Sequence, residues 1–391
     1  MCLHVEFTQV SKLLGQLLTL HKPPCVTDFV LIHPDNSGSR YKERPRGKIS
    51  TKRLCTNFFS FSALDPSMSF DRIPKGSLLL VTGATGLIGS AVTDAALARG
   101  FKVRGVTRSI SKAVLFQKSL DDKYGKGNFE LVEVKDLAAP DAFDGVLEGV
   151  AGVLHLATDS SFSISYDVVV GSVVAATVGL MKAAAKVPSV KSFVLTSSRI
   201  AIFNPDYDQP EISPKLGQWG DHFVDAAKQT PDDHPMKPVL IYAASKVQGE
   251  HAAWDYYNSA HPSYSFNAIL PDLVLGPAFN PHPRPILQFV KPASLAVDVR
   301  DVASVHLAAL LSTSTQGKRI WAAAHRFEIN DILAIWREAF PQRKFVEDFK
   351  LPQQPKITLE LAESEKLLKA FEGRSWLSLK ESVIANVQDV L

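Results

Sequence analysis

Thiols are scarce in this sequence. Its 391 residues hold three cysteines, Cys2, Cys25 and Cys55, and none follows Phe70. A disulfide framework or a cysteine-based zinc site in the body of the chain is therefore excluded. An odd cysteine count agrees with a reducing, cytoplasmic setting. Long apolar runs are lacking too. The longest, Val168 to Met181, is broken by Gly171, Ser172 and Thr177. It falls short of the roughly 18 uninterrupted residues of a membrane span and reads as a buried helix, so no membrane partner is expected. An excess of either charge is missing: 43 Lys and Arg stand against 40 Asp and Glu, a net +3. That is too little to argue for nucleic acid. The 11 histidines form no His-Glu-x-x-His spacing, and no metal is expected. His155 and His306 lie in apolar surroundings and read as satisfied structural residues.

The small net charge is unevenly placed. Residues 1–70 carry 9 of the Lys and Arg and 5 of the Asp and Glu. Val10, Leu13, Leu14, Leu17 and Leu18 share one helical face there, and a basic stretch from Arg40 to Arg53 follows. Glu6, Asp28, Asp35 and Glu43 are unusual for a transit peptide. Residues 1–70 are read as a disordered extension or as the product of a start site placed too early, with Met68 just ahead of the first strand.

What the chain does have is alternation. With 46% hydrophobic and 21% charged residues, it can bury a sizeable core. Short apolar runs predict strands over residues 78–82, 102–106, 130–134, 152–155, 192–196 and 265–269, with amphipathic stretches between them. Helices are expected over 90–99, 172–186 and 242–258. This order argues an α/β fold, a doubly wound parallel sheet that binds ligands at the carboxyl ends of its strands.

The most informative segment is Leu78 to Gly89, LLLVTGATGLIG. A buried strand enters a turn with glycines at 83, 86 and 89, and a helix follows. Glycine lets the backbone approach a pyrophosphate, and the helix N-terminus offers N–H groups and a positive dipole end. The second strand ends at Thr107-Arg108 with no acidic residue to hold a ribose 2′-hydroxyl. Arg108 and Lys112, with Arg104 nearby, suit the 2′-phosphate of NADP instead. Asp136, after the third strand, could accept from an adenine amino group. Hydroxyls stand at the end of the fifth strand, Thr196-Ser197-Ser198. Farther on, Tyr242 and Lys246 are spaced to share one helix face. An ammonium beside a phenol is expected to lower the phenol pKa from its usual value near 10.

In this order the glycine turn, the serine and Tyr242-x-x-x-Lys246 resemble the extended short-chain dehydrogenase/reductase family, also described as epimerase/dehydratase-like. The nearer likeness is to fungal NADPH-dependent aldehyde and ketone reductases and plant dihydroflavonol reductases. Val153-Leu-His155-Leu-Ala157-Thr158, Leu270 to Pro277 and Val297 to His306 support it, and the resemblance covers roughly residues 72–350. It implies a Rossmann-type sheet over 71–270. A smaller substrate-binding lobe would lie mainly in 271–391, interleaved with that core. It implies Ser198 as the catalytic serine, with Ser197 the less favoured register, Tyr242 as proton donor and Lys246 as its partner. The cofactor set it implies is Gly83, Thr85, Gly86, Leu87, Ile88, Gly89, Arg108, Lys112, Asp136, Leu137, Ala157, Tyr242, Lys246, Pro271, Leu273 and Val274. In that set Arg108 and Lys112 hold the 2′-phosphate, Asp136 and Leu137 form the adenine pocket, and Pro271, Leu273 and Val274 surround the carboxamide.

The expected activity is NADP(H)-dependent reduction of a small aldehyde or ketone, or the reverse oxidation, by a monomer or homodimer. A sugar-nucleotide epimerase or dehydratase retaining NAD and a non-catalytic NADP sensor are the alternatives. Two departures stand out. Asp272 occupies a position where a small hydroxyl residue is usual, and the stretch from Gly276 to Asp298 is short. The interval from Ser198 to Tyr242, with Trp219, His222 and Phe223, is expected to carry substrate specificity.

Overall fold

Seven apolar runs pair side by side into one parallel sheet in the computed structural model of the chain, which describes residues 68–204, 209–280, 293–351 and 354–388. The reading of residues 1–67 lies outside the described residues. In chain order the strands are β1 (Leu78–Thr82), β2 (Lys102–Thr107), β3 (Phe129–Glu133), β4 (Val150–His155), β5 (Ser192–Thr196), β6 (Glu211–Ile212), β7 (Ser265–Pro271), β8 (Leu273–Leu275), β9 (Ala293–Asp298), β10 (Lys318–Ala322), β11 (His325–Glu328) and β12 (Lys356–Ile357). The α-helices are α1 (Leu87–Ala98), α2 (Val114–Tyr124), α3 (Tyr166–Ala185), α4 (His222–Gln229), α5 (Lys237–Ala260), α6 (Val299–Leu311), α7 (Ile329–Ala339), α8 (Ala362–Glu372) and α9 (Leu379–Ala385).

The main sheet runs β10-β7-β5-β4-β1-β2-β3. Strand order reverses between β1 and β4, which opens a crevice at their carboxyl ends. β1 is buried on both faces, and its two-residue period divides the core. Leu79 and Val81 pack with Ala91 and Val92 of α1 and Val302 and Val305 of α6. Leu80 faces the other way, toward Leu180 and Met181 of α3 and Ala253 of α5. By length and composition alone α3 could cross a membrane. Its apolar residues Val169, Val173, Leu180 and Met181 are instead buried in the protein.

Several boundaries differ from the sequence reading. The first helix starts at Leu87 directly after Gly86, three residues earlier than expected. Helix α5 starts at Lys237, with Pro238 in its first turn, so Tyr242 lies in its second turn and not at its start. A proline there needs no N–H and comes with its φ already helical. The edge strand β10 had no sequence counterpart; it pairs with β7 and brings residues 318–322 into the main sheet. Beyond the sheet, β8 pairs in parallel with β9, and β11 antiparallel to β9.

Candidate active site

The glycine turn sits at the strand-order reversal. Gly83 has φ +66, and a Cβ there would come within 3.0 Å of the Ala157 backbone nitrogen. A Cβ on Gly89 would lie 2.0 Å from the Gly83 carbonyl oxygen. Only glycine fits either position, so the backbone of Gly83, Thr85, Gly86, Leu87, Ile88 and Gly89 is drawn tightly against the start of α1. Thr82, the last residue of β1, holds the two sides of the crevice together. Its Oγ1 accepts from the N–H groups of Leu156 and Ala157, both at 3.1 Å. The hydroxyl proton then points to His155 Nδ1, 2.7 Å away. His155 Nε2 in turn lies 3.3 Å from Thr177 Oγ1. Burial pushes His155 down to about 3, aided by the charge of Lys246, so this ring is a neutral structural link.

Of the cations after β2, Arg108 and Lys112 are exposed. Among the described residues no carboxylate pairs with Arg108. Arg104 is spent otherwise: it donates to Glu130 at 2.7 Å and to the Val146 and Glu148 carbonyls at 2.7 and 2.9 Å. It ties β2 to its neighbours. Beyond β3, exposed Asp136 uses Oδ1 to accept from the Ala138 N–H at 2.9 Å, a local turn, and half-buried Leu137 packs on the core. At the other end of the crevice, buried Pro271 closes β7, and half-buried Leu273 and Val274 form β8.

The serine pair divides its labour. Ser197 Oγ is buried and donates to Glu250 Oε2 at 2.5 Å. Glu250 also accepts from Trp254 Nε1 at 3.2 Å and from Arg319 Nε at 2.7 Å. Ser198 is half-buried at the start of a 3₁₀ turn, Arg199–Ala201, where its Oγ accepts weakly from the Ile200 N–H at 3.4 Å. Of the two hydroxyls, only that of Ser197 is engaged by Glu250. Lys246 is buried and donates to the Thr196 carbonyl at 3.2 Å, and its Nζ lies 5.9 Å from the Tyr242 ring centre. Tyr242 packs on Phe162 with centroids 5.4 Å apart.

The electrostatics correct one expectation. Tyr242 is not made more acidic. Burial pushes its phenol up to about 12, against an opposing pull from Arg199. Desolvation outweighs the charge of Arg199 because the phenolate would lose its hydration. Burial likewise pushes Lys246 down to about 8, opposed by Glu250 one turn along the same helix. At neutral pH the phenol therefore holds its proton beside a lysine that is still cationic.

The structure also reveals residues the sequence reading missed. Glu250 repeats the four-residue spacing of Tyr242 and Lys246, a signal that was available. Asn280, 7% exposed, donates from Nδ2 to the Thr85 carbonyl at 2.7 Å, bridging the loop after β8 to the glycine turn. Arg199 forms an ion pair with Asp272, the residue flagged as unusual. Conversely, Trp219 is committed to packing: it stacks on His251 at 3.8 Å and lies 3.8 Å from the Arg319 guanidinium. Phe223 is buried with Val169 and Ile241. His306 Nε2 meets Thr196 Oγ1 at 2.8 Å and its Nδ1 meets the Val302 carbonyl at 2.8 Å, which leaves it satisfied. Among the described residues no cluster of His, Cys, Asp or Glu could hold a metal.

The chain is similar in sequence and fold to known proteins. A sequence profile described as the NAD dependent epimerase/dehydratase family matches residues 79–291. Aldehyde reductase 2 of Sporidiobolus salmonicolor is 35% identical over 328 residues, covering 80% of this chain and 95% of that protein. A protein of Aspergillus terreus named NAD-dependent epimerase/dehydratase terH is 34% identical, over 81% of this chain and 98% of its own length. The crystal structure of yeast methylglyoxal/isovaleraldehyde reductase Gre2 with NADPH superposes with a TM-score of 0.66. It is 27% identical, over 80% of this chain and 98% of that one.

Proposed function

This chain belongs to the NAD dependent epimerase/dehydratase family, and on that premise we propose that it reduces an aldehyde or ketone to an alcohol with NADPH. The observation that carries this reading is the trio after β5 and in the second and third turns of α5: a Ser198 hydroxyl outside the Glu250 network, a protonated Tyr242 phenol and a buried Lys246 ammonium. The names of the aldehyde reductase relative and of the Gre2–NADPH structure support the same chemistry.

The glycine turn is assigned the dinucleotide pyrophosphate because it leads into the N-terminus of α1, whose N-cap Gly86 carries no capping side chain; Gly83 and Gly89 let the turn close on the backbone of Ala157 and of Gly83 itself. Arg108 and Lys112 are assigned the 2′-phosphate, Asp136 and Leu137 the adenine side. Pro271, Leu273, Val274 and Ala157 would flank the nicotinamide end. When bound, NADPH supplies the hydride. Ser198 and Tyr242 donate hydrogen bonds to the substrate carbonyl oxygen, which stabilises the negative charge that builds on it. Tyr242 then gives up its phenolic proton, and Lys246 stabilises the phenolate left behind. Ser197 keeps Glu250 in place under Lys246 and stays out of the reaction.

The chain is taken to act as a monomer or homodimer in a reducing compartment such as the cytoplasm. The experiment is an aldehyde and ketone panel, followed by loss of NADPH absorbance, and repeated with NADH. Turnover with NADPH, and at least about tenfold weaker use of NADH, is expected if Arg108 grips the phosphate as a charge-assisted pair. Tight retention of NAD with no turnover on the panel would favour the epimerase/dehydratase alternative instead.

A further inference from the structure

Lys246 and Glu250 stand one turn apart on α5 and grip consecutive residues at the end of one strand. Lys246 Nζ donates to the carbonyl of Thr196, the last residue of β5, at 3.2 Å. Glu250 Oε2 accepts from the hydroxyl of the next residue, Ser197, at 2.5 Å. The Glu250 side chain is 1% exposed, and that of its ion-pair partner Arg319 is 9% exposed. Arg319 Nε donates to Glu250 Oε1 at 2.7 Å and Nη2 to Oε2 at 3.1 Å. Its Nη1 donates to the Leu216 and Gln218 carbonyls. Trp254 Nε1 adds a bond to Glu250 Oε1 at 3.2 Å. Both carboxylate oxygens are paired, and the charge-assisted fork fixes where they lie.

A buried ammonium needs an anion nearby, because desolvation disfavours its charged form. The titratable and charged groups around Lys246 come from several elements. Tyr242 and Glu250 share its helix. His155 of β4 is buried and neutral, as is His306 of α6, which meets the Thr196 hydroxyl. Arg199, in the turn after β5, is paired with Asp272, and Arg319 of β10 with Glu250. Among the described residues, Glu250 is the one carboxylate whose charge offsets the burial of Lys246.

We propose that Glu250 is a positioning residue for the reduction. Its carboxylate, held by Ser197, Trp254 and Arg319, keeps Lys246 cationic beside Tyr242, so that the ammonium is in place when the phenol gives up its proton. Glu250 acts only through Lys246. This inference rests on the reductase reading above.

The test is the pH dependence of kcat with NADPH in the wild type, Glu250→Gln and Glu250→Asp, on the panel compound that the wild type reduces fastest. In the wild type kcat should fall as pH rises through about 8, where Lys246 loses its proton. Removing an anion that favours the charged form should move this limb to lower pH by about one unit or more in Glu250→Gln. Glu250→Asp keeps the charge, and its limb should stay nearer 8 than that of Glu250→Gln. Glu250→Gln alone leaves a buried guanidinium unpaired and can unfold the chain. The double variant Glu250→Gln/Arg319→Met removes both charges and is measured in parallel, with the same downward shift expected. A purely structural pair lowers kcat alike at every pH. A limb that stays near 8 in the folded variants, whatever their rate, would therefore overturn the inference and leave the reductase reading standing. A limb that moves as far in Glu250→Asp as in Glu250→Gln would overturn it too. A wild-type chain that turns over no member of the panel would overturn the reductase reading, and the inference with it.

Discussion

Ser197 and Ser198 are neighbours in sequence but differ in where their hydroxyls are spent. One is fixed by a 2.5 Å hydrogen bond to Glu250, and the other caps a short turn at the end of β5. That choice of register was open in the sequence, because alternation along an extended chain gives adjacent side chains opposite directions but does not say which faces the crevice. The spacing of Tyr242 and Lys246 was legible. The state of their protons was not, since burial rather than proximity sets it. A pH profile follows. Lys246 loses its proton above about 8, so kcat should fall as pH rises through that value, while Tyr242 stays protonated. In Lys246→Arg the falling limb should vanish from the range up to pH 10, whatever the overall rate. A limb that stays near 8 in that variant would assign it to another group. Arg108 gives a second prediction at this scale. Arg108→Ala should weaken NADPH binding by about tenfold or more while changing NADH binding little, by loss of one charge-assisted contact. Equal losses for the two cofactors, read by fluorescence titration, would remove it from the 2′-phosphate.

Among the elements, β1, the glycine turn and α1 were the most legible, because an apolar strand, three glycines and a helix occur without interruption. The structure adds the reason for two of those glycines: Gly83 is left-handed and lies against Ala157, and Gly89 lies against the Gly83 carbonyl. Gly89→Ala places a Cβ 2.0 Å from that oxygen. The turn must open, at an expected cost of about 1–3 kcal/mol for overpacking, together with loss of NADPH affinity. Thermal melting and titration check both; an unshifted melting temperature with normal binding would contradict the packing argument. Less legible elements had identifiable causes. Strand β10 begins with Lys318 and Arg319, and Arg319 turns out to be buried against Glu250 rather than solvated. Charge at both positions hid the strand. Helix α5 extends five residues ahead of Tyr242, through a proline that reads as a breaker but sits where a helix tolerates it. The small β8-β9-β11 sheet depends on pairings that no local pattern encodes.

At the scale of the molecule, two buried imidazoles bind the sheet to its helices: His155 links β1 with α3, and His306 links α6 with β5. Burial pushes them down to about 3 and about 4. In the unfolded chain a histidine takes a proton near pH 6.5. Between there and about 4 the unfolded state binds more protons than the folded one, so stability falls as pH falls. The urea midpoint should therefore drop from pH 7 to pH 5, before most carboxylates titrate. A flat midpoint across that interval would mean these rings are not buried and neutral. The fold class was legible because the alternation of strands and helices is regular over the described residues. The Arg199–Asp272 and Ser197–Glu250–Arg319 contacts were not, since each joins residues separated by 53 to 73 positions.

The central claim is that Tyr242 delivers the proton in an NADPH-dependent reduction. Single-turnover reduction by Tyr242→Phe, with NADPH affinity measured on the same sample, tests it most directly. The expected result is a loss of at least about 10²-fold in rate, the low end for general acid catalysis, with NADPH binding retained. A rate like that of the wild type, with the cofactor bound as tightly, would contradict it.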